Sequence, residues 1–405
     1  MPTLSPLALV CVLTFVHYTA AQMRGPVLTL YADAHGATAT AIGLILGAHM
    51  AAAAAGSIPL GRVSDVWGRR PLLLGGMAIG VVTSLLLPLA GRPASLLTIY
   101  AIAGLGVAAF TPSALSLAGD AAPRGRIAYA YGWYSTAHYG AIGIGPFVGG
   151  LVAEWWGYRL AFVASGVGIA FALAIGAAVP LRIRQPAAGV PGVTFADIRR
   201  NLDVWAGWVV AASGLFVQGV VFPFFPLLAQ DRGLGPAAIG LVFLVLGLAN
   251  TAARFPASWL VDRTGRPALY AVGGVLLACG ATALLPHAHG SRMLLALAAL
   301  FGAASGVAFV AISAGLAVAA PPAARGLVMG GYSTALYLGF GIGSIALGPV
   351  IGRHGHGVGF ALGGALGAIG TLVAALLWRR PRPAPRPMSS PSARRCGATG
   401  PDRSD

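Results

Sequence analysis

Residues 61–70, "GRVSDVWGRR", decide how this chain is interpreted. The stretch carries four charges in ten positions, although only 9% of the residues in the chain are charged. The residues before it, back to about residue 36, are almost all Ala, Gly, Ile and Leu. A charged segment directly after a long apolar run is typical of a chain that leaves a hydrocarbon layer at this point.

The composition indicates a membrane protein. Of the 405 residues, 57% are hydrophobic, and the mean hydropathy is +0.80, whereas roughly a quarter of the residues of a soluble domain are charged. Long apolar runs recur along the chain, and each can cross about 30 Å of hydrocarbon as a helix. Because a spanning backbone must satisfy its own hydrogen bonds, the expected fold class is an all-α membrane protein.

Twelve transmembrane helices are predicted, six on each side of a polar connector. The expected domains are an N-terminal six-helix bundle (1–181), a cytoplasmic connector (182–203), a C-terminal six-helix bundle (204–378) and a disordered basic tail (379–405). The first helix is expected to be retained, because it lacks the basic region and cleavage site of a signal peptide. The predicted spans are 6–32, 38–61, 71–90, 95–118, 126–152, 160–181, 204–229, 236–259, 268–287, 292–319, 326–351 and 357–378.

The positions of the arginines predict the orientation. All 26 cationic residues are arginines, and the net charge is +16. With a cytoplasmic N-terminus, 19 arginines lie on the cytoplasmic side and five on the other, which predicts that both termini are inside a bacterial cytoplasmic membrane. Since the arginines lie in short connectors and not on one face, nucleic-acid binding is not expected. The tail is expected either to contact anionic membrane lipids or to remain solvated.

The two halves of the chain repeat each other. "AIGL" at 41–44 recurs at 238–241, an offset of 197, and "YSTAHYGAIGIG" at 134–145 recurs as "YSTALYLGFGIG" at 332–343, an offset of 198. The opening stretch also has a second copy, "SWLVDRTGRP" at 258–267. These repeats predict two pseudo-symmetric six-helix bundles related by an axis along the membrane normal, with a solute site near the midplane between them.

The two copies resemble the loop motif G-x-x-x-D-x-x-G-R-[RK] of the major facilitator superfamily. The resemblance covers about residues 6–378 and implies a transporter in which the loop closes the cytoplasmic side; a positive-inside anchor is the alternative. Ser258 and Pro267 depart from the motif and weaken the second copy. Arg69 and Arg70 are expected to pair with Asp65 or Asp120. The predicted gating loop and charge cluster comprises Gly61, Asp65, Gly68, Arg69, Arg70, Asp120, Asp262, Gly265 and Arg266.

A second motif lies in the fifth predicted helix, "AIGIGPFVGG" at 141–150. It resembles the element G-x-x-x-G-P-x-x-G-G of exporters in the same family, with Ala141 in place of the first glycine. Glycines allow close helix contact, and the proline removes an internal hydrogen bond. The resemblance favours export, and ordinary glycine packing is the alternative. The motif residues carried over are Gly145, Pro146, Gly149 and Gly150.

Polar residues within spans are candidates for a substrate cavity. Arg24 shares one face of the first helix with His17. It is a candidate for binding an anionic or carbonyl-bearing substrate; the alternative is an arginine that reaches lipid head groups or pairs with Asp33. Arg254 is expected to belong with the Asp262 cluster. The full set of cavity candidates is His17, Arg24, His49, His138, Gln218 and Asn250.

Histidine is the remaining candidate for proton coupling. His49 and His138 stand where the repeat has leucine, and each could bind substrate, carry a proton or simply pack. No Asp or Glu falls at mid-depth of a predicted span, so protons remain an open coupling partner and facilitated diffusion an open alternative. The absence of lysine excludes a P-loop and a Schiff base. Cys11, Cys279 and Cys396 are scattered, so no metal site or cofactor is predicted.

These observations predict a secondary active transporter of small organic solutes that works by alternating access. An exporter of drugs or metabolites, acting as a monomer, is the leading hypothesis. An importer of a sugar or organic anion is the alternative within transport, and a non-transporting membrane sensor or scaffold is the alternative of another class. An enzyme is not expected, because no catalytic constellation stands out among the ten acidic residues.

Overall fold

The computed structural model describes residues 5–123, 126–178, 198–321 and 324–378. Most of the predicted connector and the whole predicted tail, residues 379–405, lie outside the described residues, as do the side chains of Arg62 and Asp65. Within the described ranges the secondary structure is helical. The helices are α1 (Pro6–Gln22), α2 (Arg24–Ala34), α3 (Ala39–Trp67), α4 (Arg69–Leu86), α5 (Pro93–Asp120), α6 (Ile127–Trp156), α7 (Tyr158–Ala178), α8 (Leu202–Gln230), α9 (Pro236–Thr264), α10 (Pro267–Leu284), α11 (Gly290–Ala319) and α12 (Arg325–Leu377).

Counted as crossings, the described helices correspond to the twelve predicted spans. Ten helical stretches are long and apolar enough to cross a membrane, and the last of them, Leu327–Leu377, bends at Gly355 (φ 79°) into two arms. The 30-residue α6 lies outside those ten, but at 1.5 Å per residue it is about 45 Å long and also crosses the bundle. Helices α1 and α2 form the first crossing together; they separate at Met23, where Pro26 cannot donate to the Gln22 carbonyl.

The backbone turns repeat with the sequence. Three glycines of the first half and their partners at an offset of 197 or 198 all have φ between 62° and 95°. A residue with a Cβ is strained at such angles, so glycine is required where one helix ends and the next begins. The pairs are Gly36 with Gly233, Gly68 with Gly265, and Gly157 with Gly355. The repeat read from the sequence is therefore a repeat of structure.

The outer surface of the bundle is apolar. Large hydrophobic side chains such as Val167, Phe171 and Leu376 are 60%, 61% and 87% exposed. A water-soluble protein rarely exposes so many of them on one surface. This surface suits lipid and confirms the membrane fold.

Two ends of the bundle are distinguished by their turns. The connector face carries the turns at Gly68 and Gly265, and the opposite face carries those at Gly36, Gly157 and Gly355.

The buried core is continuous between the halves only on one side. One cluster joins first-half residues such as Ile42 and Phe162 to the second half. The core of α1, α4 and α5 nearer the connector face, with Leu13, Met77 and Phe110, forms a separate cluster.

The halves meet through two helix pairs, α3 with the first arm of α12 and α6 with α9. Both pairs are closest toward the opposite face: a side chain added at Gly43 would collide with the Ser344 carbonyl, and one at Gly247 with the Gly143 backbone. Toward the connector face the helices diverge. Among the described residues, no atom of another helix lies within 4 Å of the position that a Cβ would take at Gly61, Gly132 or Gly330. Within the described ranges, the halves are in contact toward the opposite face and separate toward the connector face.

Candidate functional site

The repeated "YSTA" stretches face each other between the halves. Helix α6 contributes Tyr134, His138 and Tyr139, and the first arm of α12 contributes Tyr332 and Tyr337. Because the two stretches are related by the repeat, the approximate two-fold axis brings them together at the interface. Tyr18 of α1 and the other three of these tyrosines all lie near Tyr139. We call Tyr18, Tyr134, Tyr139, Tyr332 and Tyr337 the tyrosine belt.

His138 lies against the belt. Its ring is 4.1 Å from the ring of Tyr18, at nearly a right angle, and 4.9 Å from that of Tyr139. The Tyr18 hydroxyl hydrogen-bonds to the Thr111 hydroxyl of α5. These contacts tie α1, α5 and α6 of the first half into one wall of the gap between the halves.

Arg254 of α9 reaches this wall from the second half. Its guanidinium carbon lies 3.3 Å from the centre of the Tyr139 ring, a cation–π contact that bridges the halves. Its Nε donates to Asn250 Oδ1 over 3.0 Å. The prediction that Arg254 belongs with Asp262 is therefore wrong in this structure. Asp262 lies eight residues further along the same helix, about 12 Å away at 1.5 Å per residue, whereas the Tyr139 ring is in direct contact.

Several polar atoms around the belt are buried without a hydrogen-bond partner among the described residues. They are the Tyr134 hydroxyl, Nδ1 of His138, Oγ1 of Thr251 and Nη2 of Arg254. Each such atom costs about 1–3 kcal/mol if nothing binds it. Buried polar atoms without a partner are uncommon in folded proteins, so this group between the halves is a candidate site for a polar ligand.

Arg24 and His17 share one face as predicted, but the face packs inside the first half. Arg24 is 4% exposed; its Nε donates to the Ala21 carbonyl over 3.2 Å, and its Nη1 lies 3.4 Å from Thr83 Oγ1 of α4. His17 stacks on Phe110 of α5 at 3.9 Å. In this conformation both residues face α4 and α5. Arg24 does not pair with Asp33.

The remaining cavity candidates differ in their surroundings. His49 donates a hydrogen bond of 2.9 Å from Nδ1 to the Tyr100 carbonyl and stacks on the Tyr100 ring at 4.3 Å. These contacts match a packing histidine. Asn250 is buried and positions Arg254. Gln218 is half-buried on α8.

The predicted gating cluster forms in part. Arg69 pairs with Asp120 at the end of α5 and donates to the Ser116 carbonyl over 3.1 Å. Arg70 does not pair with an acid; it donates to the Gly176 and Ala177 carbonyls of α7 over 3.2 and 2.8 Å. Lone carbonyls at a helix C-terminus favour such a cation. Since α4, α5 and α7 belong to one half, these contacts do not join the halves in this conformation.

Two other parts of the cluster prediction need correction. Gly61 lies inside α3 and has open space around it, so the expected close helix approach is absent while the connector face is open. In the second copy, Gly265 makes a left-handed helix end, but Arg266 is exposed and forms no ion pair among the described residues. Arg266 lacks the acidic partner that Arg69 has, because Val318 stands where the first half has Asp120.

The glycines of the fifth-helix motif pack α6 on both sides. Side chains added at Gly145 and Gly149 would collide with the Thr19 and Met23 carbonyls of the first crossing. One added at Gly150 would collide with the Pro236 carbonyl at the start of α9 in the other half. The motif therefore lies among the helix contacts that close the opposite face.

A carboxylate completes the closed face. Glu154 at the end of α6 accepts a hydrogen bond of 2.8 Å from the Ala237 amide, in the first turn of α9. An anion at a helix N-terminus is stabilised by the free amide groups and the helix dipole. No sequence pattern indicated this pair, because it joins residues 83 positions apart in different halves. The repeated tyrosines of 134–139 and 332–337 are a sequence signal for the belt, but they carry no charge and were therefore not among the predicted site residues.

Comparison with known proteins identifies the family to which the chain belongs. The family model "Major Facilitator Superfamily" matches residues 10–235 and 207–396. The chain is 28% identical over 379 residues to a chloramphenicol resistance protein of Pseudomonas aeruginosa, covering 88% of this chain and 81% of that protein. It is 21% identical over 343 residues to an MFS-type transporter of Methanocaldococcus jannaschii, covering 83% and 88%. Its fold matches the nucleoside transporter NupG (D323A mutant) with a TM-score of 0.77 at 14% identity, covering 92% of this chain and 100% of that one.

Proposed function

Because the chain belongs to the Major Facilitator Superfamily, we propose that it is a secondary transporter that exports a small organic solute from the cytoplasm. The solute binds between the halves, at the tyrosine belt and Arg254. The connector face is the cytoplasmic face, since the arginines of the chain concentrate there, and the conformation described is the one that takes up solute from the cytoplasm. The protein acts as a monomer.

One observation carries this proposal: the halves touch on one side of a polar site and diverge on the other. Close backbone approach at Gly43 and Gly247 closes the opposite face, while Gly61, Gly132 and Gly330 near the connector face have no neighbour within 4 Å among the described residues. A site that is open to one side only, between two halves related by a repeat, supports alternating access.

Export is supported by two independent features. The chain is similar over most of its length to a chloramphenicol resistance protein, and the fifth-helix motif resembles that of exporters. The motif glycines Gly145, Gly149 and Gly150 lie in the contacts that close the opposite face. The likeness to a nucleoside transporter supports the fold alone.

The test is solute accumulation in bacterial cells that express the chain, measured across a library of radiolabelled or fluorescent compounds. We expect lower accumulation of at least one compound than in cells with the empty vector. The matched control is Gly247→Val, which collides with Gly143 and prevents closure of the opposite face; it should be expressed and inserted but should not lower accumulation. Higher accumulation with the wild-type chain would support import, and no change for any compound would contradict transport.

A further inference from the structure

Arg254 presents uncommitted donors to the gap between the halves. A guanidinium has five N–H donors, and the described contacts of Arg254 use the one on Nε, which bonds to Asn250. Its Nη2 is buried without a partner among the described residues. The two ion pairs within the described ranges, Arg69 with Asp120 and His356 with Asp231, do not include it. A cation held inside a membrane protein without an anion marks a binding function.

The acidic residues are far from this cation. Every acid on a described helix lies in the first or last turns, at one of the two faces. A cationic solute would therefore meet Arg254 and no carboxylate among the described residues at mid-depth. An anionic solute would supply the missing partner. The acids in question are Asp33, Asp65, Asp120, Glu154, Asp203, Asp231 and Asp262.

Flat ring surfaces surround the same cation. The Tyr139 ring lies beneath the guanidinium at 3.3 Å, and Tyr332 lies near both. His138 and Tyr18 continue the aromatic wall on the first half. Aromatic side chains stack on planar ligands with offset or edge geometry, and the unpaired Tyr134 hydroxyl adds a hydrogen-bond donor.

We infer that the site between the halves takes an organic anion with a planar ring, whose acidic group binds Arg254 and whose ring packs within the tyrosine belt. This inference rests on the proposed function and names the substrate class of the same site. It also accounts for the lack of a mid-depth carboxylate for proton exchange. An anion that leaves the cytoplasm is driven outward by the inside-negative membrane potential itself, so its export needs no proton carrier.

The experiment is isothermal titration of the purified full-length protein in nanodiscs with three probes of similar size. They are 1-naphthoate, the neutral 1-naphthamide, and decalin-2-carboxylate, which has the charge without a planar ring. Binding of 1-naphthoate should be at least about tenfold tighter than that of either other probe, because a charge-assisted pair and ring stacking are each strong enough for such a difference.

Variants assign the preference to Arg254. Arg254→Gln should remove the difference between 1-naphthoate and 1-naphthamide, and Arg254→Lys should keep part of it. Arg263→Gln is the matched control: Arg263 lies on the same helix and also over a ring, that of Trp259 at 5.1 Å, but at the connector face. It should leave binding unchanged. Should Arg254→Gln fail to fold, the three-probe comparison on the wild-type protein still decides.

The inference is overturned if 1-naphthamide binds as tightly as 1-naphthoate, if 1-naphthoate does not bind at millimolar concentration, or if a folded Arg254→Gln keeps the preference. Its failure is distinct from that of the proposed function. Export of neutral or cationic compounds without anion binding would leave the transporter proposal standing. Binding of 1-naphthoate by Arg254 without transport of any compound would leave the anion site standing and contradict the exporter.

Discussion

The contact between Glu154 and the start of α9 should bias the protein toward closure of the opposite face. The carboxylate accepts from the Ala237 amide over 2.8 Å, across the boundary between the halves, so the bond exists only while this face is closed. Glu154→Gln keeps an acceptor and removes the charge. The interaction of an exposed carboxylate with a helix N-terminus is worth about 0.3–1 kcal/mol, which corresponds to a shift of about two- to fivefold in the equilibrium between closed and open.

The fraction of molecules that is open at the opposite face can be measured from the labelling rate of one introduced cysteine. Met50 is half-buried at mid-depth on α3, where a side chain at Gly341 of α12 would contact it at 3.6 Å. In a background with the three native cysteines replaced, Met50→Cys should react with a membrane-impermeant maleimide added outside only when the opposite face opens. The initial labelling rate is then proportional to the open population, even where that population is small.

Glu154→Gln should raise this labelling rate about two- to fivefold. Asp231→Asn is the matched control, because Asp231 is an acid on the same face whose partner, His356 at 3.4 Å, belongs to its own half. Asp231 also lies near Asp33 of the first half, where like charges repel, so the variant should not raise the rate. An equal rate in Glu154→Gln and wild type, or an equal rise in both variants, would refute the reasoning that Glu154 holds the halves together.

Three further predictions test other contacts. Asp120→Asn removes the partner of Arg69 and should lower the free energy of unfolding by about 1–3 kcal/mol, measured by thermal unfolding in detergent; Asp262→Asn, at an exposed acid near the end of α9, should change it by less than about 0.5 kcal/mol. Gly61→Val, which meets open space here, should leave stability unchanged but slow transport if the connector face must close around it; an unchanged transport rate would contradict this. In proteoliposomes, a diffusion potential of 100 mV should raise the gradient of an exported monovalent anion about 50-fold, since one charge gains about 2.3 kcal/mol; a gradient that ignores the potential would contradict anion export.

The spans and their turns were predictable because they follow from local chemistry. An apolar run bounded by glycine and charge fixes a crossing to within a few residues, and the predicted span 236–259 became Pro236–Thr264. The pair of Arg69 with Asp120 was also accessible, because both residues had to lie at the same membrane surface. Neither inference needs knowledge of which helix packs against which.

The surroundings of a helix face were not predictable in the same way. Periodicity placed His17 and Arg24 on one face correctly, but which neighbour covers that face depends on tertiary packing, and the neighbours proved to be α4 and α5. Arg254 was misassigned for the same reason: its ring partner Tyr139 is 115 positions away in the other half. The open space at Gly61 depends in addition on which conformation the halves adopt.

The two halves repeat the fold without repeating the polar groups, and this difference orients the ligand. At the repeat positions of His138 and Asp120 the second half has Leu336 and Val318, while the first half has Ser57 at the repeat position of Arg254. The gap therefore has one wall of rings and hydroxyls and one wall with a cation. In the proposed transport cycle the halves rock and the contact of Arg254 with Tyr139 opens, so a ligand that binds both walls at once could replace it. Such a ligand needs an anionic end and a planar end. The difference in polar groups between the two repeated halves therefore supports the inferred substrate class.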